Sequence, residues 1–262
     1  VPDALLVEAP IEFALGVVMC SYVLAALFNL KIPDTGAHYA HQERHPIKLV
    51  IDFSQCFIKL WRDRLGQISL AVTSLFWGAG ATLQFIVLKW AEKALGMPLD
   101  KAAILQGVVA VGVAFGAMAA ARTIPLKKSL SVMPVGFAMG LVVILMTLAH
   151  SISVAYPLLV IVGALSGYFV VPMNALLQHR GHVLMSAGHS IAVQNFSENL
   201  SILIMLALYA LMVKLDLNVY VVIMLFGLFV SSSMWLIMKK HAANQAQFDS
   251  MHLIGEEKHV GT

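Results

Sequence analysis

The 262-residue chain has too few charged residues for a water-soluble protein of its size. Charged side chains make up 12% of it and apolar ones 60%, whereas soluble domains are about one-quarter charged. So little charge cannot cover a soluble surface, and most of the outer surface is expected to face lipid. The net charge of +3 does not indicate nucleic-acid binding, because the charged residues lie almost wholly between the apolar segments.

Seven apolar segments are long enough to cross a bilayer, which takes about 20 helical residues. Lipid-exposed backbone must satisfy its hydrogen bonds within its own segment, so every span is predicted to be helical and the fold all-α. Only the first and sixth segments carry a charged residue, Glu12 and Glu198 respectively. In chain order the segments are Ala9–Leu30, Ile68–Leu88, Ala102–Ala121, Leu130–Ala149, Val154–Leu177, Gly188–Met212 and Leu217–Met238.

A long basic linker separates the first span from the other six. Within residues 31–67, apolar side chains recur at helical spacing and predict an amphipathic helix at the membrane interface. These side chains are Val50, Phe53, Phe57, Leu60, Trp61 and Leu65. We interpret residues 1–30 as the last span of an N-terminal half whose first five spans are missing. Residues 68–240 are then a six-helix C-terminal transporter half, and residues 241–262 a tail.

A seven-span receptor is the alternative architecture, but it would not need a long linker after its first span alone. The orientation follows from the lysines and arginines, of which thirteen lie on one side and four on the other. Basic residues accumulate in cytoplasmic loops, so we expect the C-terminus to be cytoplasmic. The linker and tail would then be cytoplasmic as well.

Three successive spans carry glycines four residues apart, a spacing that lets helix backbones approach closely in lipid. We interpret all three pairs as ordinary helix packing. They are Gly112 and Gly116, Gly136 and Gly140, and Gly163 and Gly167.

Glu198 is the strongest functional candidate, because an ionised side chain near mid-membrane costs about 2.5–3.5 kcal/mol on insertion scales. A polar stripe shares its helix face, formed by Ser190, Gln194, Ser197, Glu198 and Ser201, and Asn195 and Asn199 flank it. One interpretation is a polar clamp between helices. We favour a cavity-lining role in binding a substrate or cation, with Gln194, Asn195 and Asn199 as polar support.

Two other spans offer weaker candidates. Thr73, Trp77, Gly80 and Gln84 lie on one stripe of the second span, where packing and cavity-lining interpretations stay equally open. Asn174 follows Pro172 by two residues and could bond broken backbone or, together with Thr73, belong to a gate or cavity. For Asn174 we favour the structural interpretation.

No enzyme, cofactor or metal site is predicted. The chain has no glycine-rich phosphate loop, G-x-S-x-G or H-E-x-x-H motif. Cys20 and Cys56 provide no disulfide or metal framework. His38, His41 and His45 have a spacing compatible with one helical face, but no fourth ligand is evident, and we interpret them as part of a solvated linker.

Three motifs in order resemble the lysophospholipid transporter family, a branch of the major facilitator superfamily. They are TSLFWGAGATLQF (Thr73–Phe85), GYFVVPMNALLQHRG (Gly167–Gly181) and SAGHSIAVQNFSEN (Ser186–Asn199). The resemblance covers about residues 10–240 and the family's last seven spans. The family's intramembrane glutamate corresponds to Glu198. The family carries an arginine where this chain has Gln84, and Lys89, five residues on, is a partial substitute.

The resemblance implies a multi-pass protein of the bacterial inner membrane. Its substrate would be lysophospholipid, mainly of the lysophosphatidylethanolamine type, moved to the cytoplasmic leaflet with a coupling cation of unknown identity. There an acyltransferase/acyl-carrier-protein synthetase would reacylate it. Phe76, Phe85 and Phe169 are the candidate contacts of the acyl chain. The alternatives are a major facilitator exporter of drugs or small metabolites and a non-transporting membrane scaffold.

Overall fold

The computed structural model describes residues 11–33 and 45–255, and within these ranges the chain is helical with no strand. This confirms the all-α prediction. The helices are α1 (Ile11–Asn29), α2 (Pro46–Arg62), α3 (Arg64–Leu95), α4 (Leu99–Thr123), α5 (Met133–Ile144), α6 (Ile152–Leu184), α7 (Ala187–Lys214) and α8 (Val219–Gln247). Short 3₁₀ turns at Leu126–Val132 and Leu145–Leu148 extend α5 at both ends, and a third turn lies at Met251–Leu253.

Six helices in the described ranges are long and apolar enough to cross a membrane. They are α3, α4, α5 with its flanking turns, α6, α7 and α8. The predicted first span coincides with α1, whose apolar part Leu15–Asn29 is shorter than these six. Ala9, where that span was predicted to begin, lies outside the described residues, as do His38 and His41. The seventh span therefore stays a prediction.

The chain divides into two compact units, Val1–Arg44 and His45–Thr262. In the first, α1 has neither an acidic nor a basic side chain from Phe13 to Asn29, and the apolar side chains described there are exposed. The second unit contains α2 to α8 and all of the buried core described below.

Local sequence sets where several helices begin and end. Asp63 has extended backbone, ends α2 and caps α3 by accepting a 2.7 Å hydrogen bond from the Gly66 N–H. Ser186 caps α7 in the same way through the His189 N–H. Gly96 ends α3 in the left-handed conformation at φ 63°, which only glycine adopts without strain.

Helix α2 is amphipathic, and its apolar face packs on α3, α6 and α7 within the second unit. Leu60 is fully buried, and Phe53 and Phe57 pack with it against Leu70 of α3 and Val193 of α7. The predicted amphipathic segment extended to Leu65, but the structure places Leu65 in α3. The reason is the extended backbone at Asp63, which separates the two helices.

The glycine pairs of α4 and α6 bring these two helices into backbone contact, as the packing interpretation predicted. A Cβ atom on Gly112 or Gly116 would overlap the carbonyl oxygens of Val160 and Ala164 on α6. The contact is mutual, since a Cβ atom on Gly167 of α6 would overlap the carbonyl oxygen of Val113 on α4. Helices α4 and α6 therefore pack face to face through small residues.

Candidate functional site

A cavity of about 640 Å³ lies within the helix bundle, and each of the helices α3 to α8 contributes residues to its wall. Most of its lining is apolar, including Phe76 and Phe226. Its polar lining consists of Gln84, Gln106, Ser166 and Asn174. Trp77 and Gln84 line the cavity and are also exposed, so it reaches the surface of the unit beside α3.

Three polar side chains link this cavity to Glu198. Asn174 lines the cavity from α6, and its Oδ1 lies 3.4 Å from Nε2 of Gln194 on α7. The same Nε2 donates a 2.8 Å hydrogen bond to Oε1 of Glu198, one turn further along α7. Glu198 itself is 8% exposed. The amide of Gln194 thus connects a buried carboxyl group to a group on the cavity wall.

Glu198 has no basic partner among the described residues. Its hydrogen bond there is with the neutral Gln194 amide. Burying a carboxylate without a counter-charge is unfavourable. Such a group is therefore either protonated or stabilised by a cation that the described residues do not supply. This feature distinguishes Glu198 from the partly buried Asp63 carboxylate described below.

Gln84 stands where the family that the chain resembles has arginine, and it does not supply a basic partner for Glu198. Gln84 lies on the cavity wall, and its backbone oxygen accepts a 2.9 Å hydrogen bond from Gln106. Lys89 forms a 2.9 Å ion pair with Glu92 on the exposed side of α3. Lys89 also lines a separate cavity of about 370 Å³ near the other end of α7, with Asp216.

The remaining site residues predicted from the sequence lie apart from Asn174, Gln194 and Glu198. Thr73 is fully buried, does not line the cavity, and its hydroxyl donates to the Leu70 carbonyl oxygen at 3.2 Å. Asn195 and Asn199 are exposed, and the Asn199 amide donates to the Asn195 carbonyl oxygen at 2.7 Å. The structure therefore brings together Glu198, Gln194 and Asn174, but of these three only Asn174 lines the cavity, together with Trp77 and Gln84. Glu198 and Gln194 lie behind that wall and not on it, which differs from the predicted cavity-lining position.

The three candidate acyl-chain contacts also do not lie together on one wall of the cavity. Phe76 lines the cavity, whereas Phe169 is buried behind it, with ring centroids 6.1 Å apart. Phe85 is half-exposed and faces Tyr209 instead. Sequence reasoning missed Gln106 and Ser166, because each is the sole polar side chain in its stretch of helix and forms no stripe.

A second buried polar site lies at the end of the bundle where α3 and α7 begin and α6 and α8 end. Arg180 forms two hydrogen bonds with the Asp63 carboxylate, Nε to Oδ2 at 3.1 Å and Nη2 to Oδ1 at 2.8 Å. Their side chains are only 4% and 10% exposed. Arg180 Nη1 also donates to the Leu253 carbonyl oxygen at 2.9 Å. We call these three residues the latch.

Comparison with known proteins indicates the family. The chain is 42% identical over 221 residues to the lysophospholipid transporter LplT of Pectobacterium carotovorum, covering 84% of this chain and 54% of that protein. The LplT of Yersinia enterocolitica gives the same identity and coverage, and that of Yersinia pestis is 43% identical over 217 residues. No family model matches the chain, and no solved structure does either.

The chain spans about half the length of these curated relatives. Identity of this level over more than 200 residues confirms the resemblance that the three sequence motifs indicated. Over most of its length the chain is therefore LplT-like, a homologue of the lysophospholipid transporters.

Proposed function

We propose that this chain is the C-terminal half of a major facilitator transporter that moves lysophospholipids across a membrane. The observation that carries the proposal is the mostly apolar cavity of about 640 Å³, on whose wall Asn174 is linked through Gln194 to the buried Glu198. The relatives' names supply the substrate class.

The apolar part of the cavity suits a single acyl chain. Small-molecule sites are clefts of about 300–1,000 Å³ with predominantly apolar walls and a few placed polar groups. Phe76, Val87, Val113 and Phe226 supply such a wall. Gln84 and Gln106 on the wall add hydrogen-bonding groups without adding charge.

Glu198 is the proposed contact for positive charge. A carboxylate in a poorly screened environment attracts a cation more strongly than it would in water. The lysophosphatidylethanolamine ammonium and a coupling cation are the two candidates. Gln194 orients the carboxyl group by its 2.8 Å hydrogen bond and is itself in reach of Asn174 at the cavity wall.

The finer features follow the resemblance. The transporter would lie in a bacterial inner membrane with the latch end and the C-terminus in the cytoplasm. It would deliver lysophospholipid to the cytoplasmic leaflet for an acyltransferase/acyl-carrier-protein synthetase to reacylate. Substrates of such transporters bind between the two halves, so this chain would supply one wall of the route.

Transport into vesicles by the transporter with both halves tests the proposal. We expect uptake of single-chain phospholipids in preference to two-chain lipids or amphiphilic drugs. Glu198→Gln keeps the size and hydrogen bonding of the side chain but removes its charge, and it should lower the rate at least about tenfold. The matched control is Glu92→Gln, which removes an exposed carboxylate from α3 and should leave transport unchanged.

Two results would overturn the assignment. A preference for drugs or two-chain lipids would favour an exporter or a different lipid carrier. Normal transport by the Glu198→Gln variant would show that the charge is unused and that Glu198 only clamps helices. Quantifying the inserted protein in each vesicle preparation separates a lost transport step from lost folding.

A further inference from the structure

Three side chains of metal-binding type meet where α2 packs on the beginning of α7. Asp52 and Cys56 lie one helical turn apart on α2, and His189 lies in the first turn of α7. One ligand atom from each of them lies within 4.8 Å of the other two. His189 Nε2 is 2.8 Å from Oδ2 of Asp52. Asp52 and Cys56 lie in α2, which is not one of the six candidate spans, and none of the three residues lines the cavity of about 640 Å³.

Ser186 holds the His189 ring in the orientation that a metal ligand needs. Its Oγ lies 2.5 Å from Nδ1 of His189 and also accepts from the His189 backbone N–H at 3.3 Å. Metal-bound histidines generally donate their second ring N–H to a carboxylate, a backbone carbonyl or water, and the Ser186 hydroxyl oxygen would take that place here. Here that arrangement would direct the Nε2 lone pair towards Asp52 and Cys56.

The side chains of the cluster are partly exposed and partly buried, so the cluster is accessible from outside the bundle. The Asp52 side chain is 49% exposed and that of His189 27%. Cys56 is partly buried, and burial together with the nearby Asp52 carboxylate raises the pKa of its thiol. A divalent cation reverses such an effect, because a coordinating thiol loses its proton and the positive ion neutralises the carboxylate.

We propose that Asp52, Cys56 and His189 form a binding site for a divalent transition metal, Zn²⁺ above all, with water as the fourth ligand. One sulfur, one imidazole nitrogen and one carboxylate oxygen are the donor set of Zn²⁺ and not of Ca²⁺ or Mg²⁺, which take oxygen ligands. Zinc–ligand bonds of about 2.0–2.3 Å bring ligand atoms to van der Waals distance or less, so only side-chain adjustments are required.

The metal would fasten the amphipathic helix α2 to the membrane-spanning helix α7. Two ligands come from α2 and one from α7, the helix that also carries Gln194 and Glu198. The neighbouring apolar contact of Leu60 and Phe53 with Val193 already holds the two helices together. Metal binding would therefore stabilise an existing contact and does not depend on the transport proposal.

Cobalt(II) is the probe for this site, because thiolate coordination gives a charge-transfer band that nitrogen and oxygen ligands do not. The purified chain, carrying an affinity tag without histidine, is titrated with Co²⁺ in detergent and then with Zn²⁺. We expect one Co²⁺ per chain with a thiolate band that Zn²⁺ abolishes. Cys56→Ser should remove the band. Cys20→Ser, which changes the chain's other cysteine, is the matched control and should keep it.

Further variants test the remaining ligands and the supporting serine. Asp52→Asn and His189→Gln should each weaken Co²⁺ binding at least about tenfold, and Ser186→Ala about ten- to a hundredfold. As a second measurement, Zn²⁺ should protect Cys56 from alkylation by a soluble thiol reagent, and Asp52→Asn should remove that protection. Circular dichroism of each variant checks that the helices remain.

The proposal fails if the wild-type chain shows no thiolate band or no zinc protection of Cys56. It fails equally if Cys20→Ser loses the band, or if Asp52→Asn and His189→Gln bind Co²⁺ as tightly as the wild type. The last result would mean adventitious binding to the Cys56 thiol alone. In either case the His189–Asp52 contact would be a simple polar contact between α2 and α7.

Discussion

Asp63, whose side chain is 10% exposed, and the buried Glu198 are two carboxyl groups with opposite surroundings. Asp63 sits at one end of the bundle and is matched by the Arg180 guanidinium through two hydrogen bonds. Glu198 sits within a membrane-spanning helix and has only the neutral amide of Gln194 as its described partner. The difference indicates different roles. The latch pairs its two charges and holds helices in place, whereas Glu198 has no described counter-charge, as the proposed cation-binding role requires.

The largest expected effect is loss of the latch. Asp63→Asn keeps an oxygen that can cap α3 but removes the ion pair with Arg180. Breaking a buried pair from one side costs about 3–5 kcal/mol. Thermal unfolding in detergent should therefore show a strongly lowered midpoint.

Glu92→Gln is the control for the latch variant, because it breaks the exposed Lys89 pair on the same helix and should leave the midpoint unchanged. Equal stability of the two variants would mean that the latch does not differ from a surface ion pair, and the comparison with Glu198 would lose its basis.

The second effect concerns α6, which carries both Asn174 of the cavity and Arg180 of the latch. Gly167→Ala places a Cβ atom against the Val113 carbonyl oxygen of α4, and such overpacking typically costs about 1–3 kcal/mol. Both sites should weaken together, seen as lower thermal stability and lower transport. Gly107→Ala on α4 is the control, since nothing lies within 4 Å of the added methyl group. A stable, active Gly167→Ala variant would contradict the close α4–α6 packing.

A smaller stability effect is expected at Glu198. Glu198→Gln retains a hydrogen-bond acceptor for Gln194 and removes a buried acidic group, so stability should change by less than about 1 kcal/mol or rise. The measurement is the same unfolding midpoint, compared directly with Asp63→Asn. A loss as large as that of the latch variant would show that Glu198 is structural too.

The smallest perturbation tests whether water reaches the cavity wall. In a chain with Cys20→Ser and Cys56→Ser, Asn174→Cys should react with a small soluble thiol reagent in intact membranes. Thr73→Cys should stay protected, because Thr73 is fully buried and lies off the cavity. Protection of both cysteines in every condition would favour the dry, packed scaffold over the transporter.

Much of the helical framework could be predicted because its causes are local. Long apolar segments form helices in lipid wherever they occur, and the six described spans match predicted segments. Gly163 and Gly167 predicted close packing because small residues have that effect on any neighbouring helix. Glu198 stood out for the same reason, since a single acidic residue in an apolar segment is unusual in itself.

What the sequence by itself determined was therefore the set of helices, their small-residue faces and the presence of an isolated acid. Only the tertiary structure decided which distant residues meet: Asp63 with Arg180, 117 positions apart, Asn174 with Gln194, and Asp52 with His189. The physical reason is range. Helix formation and hydrophobic burial depend on neighbours along the chain, whereas a partner, a cavity wall or a metal ligand set depends on how whole helices pack.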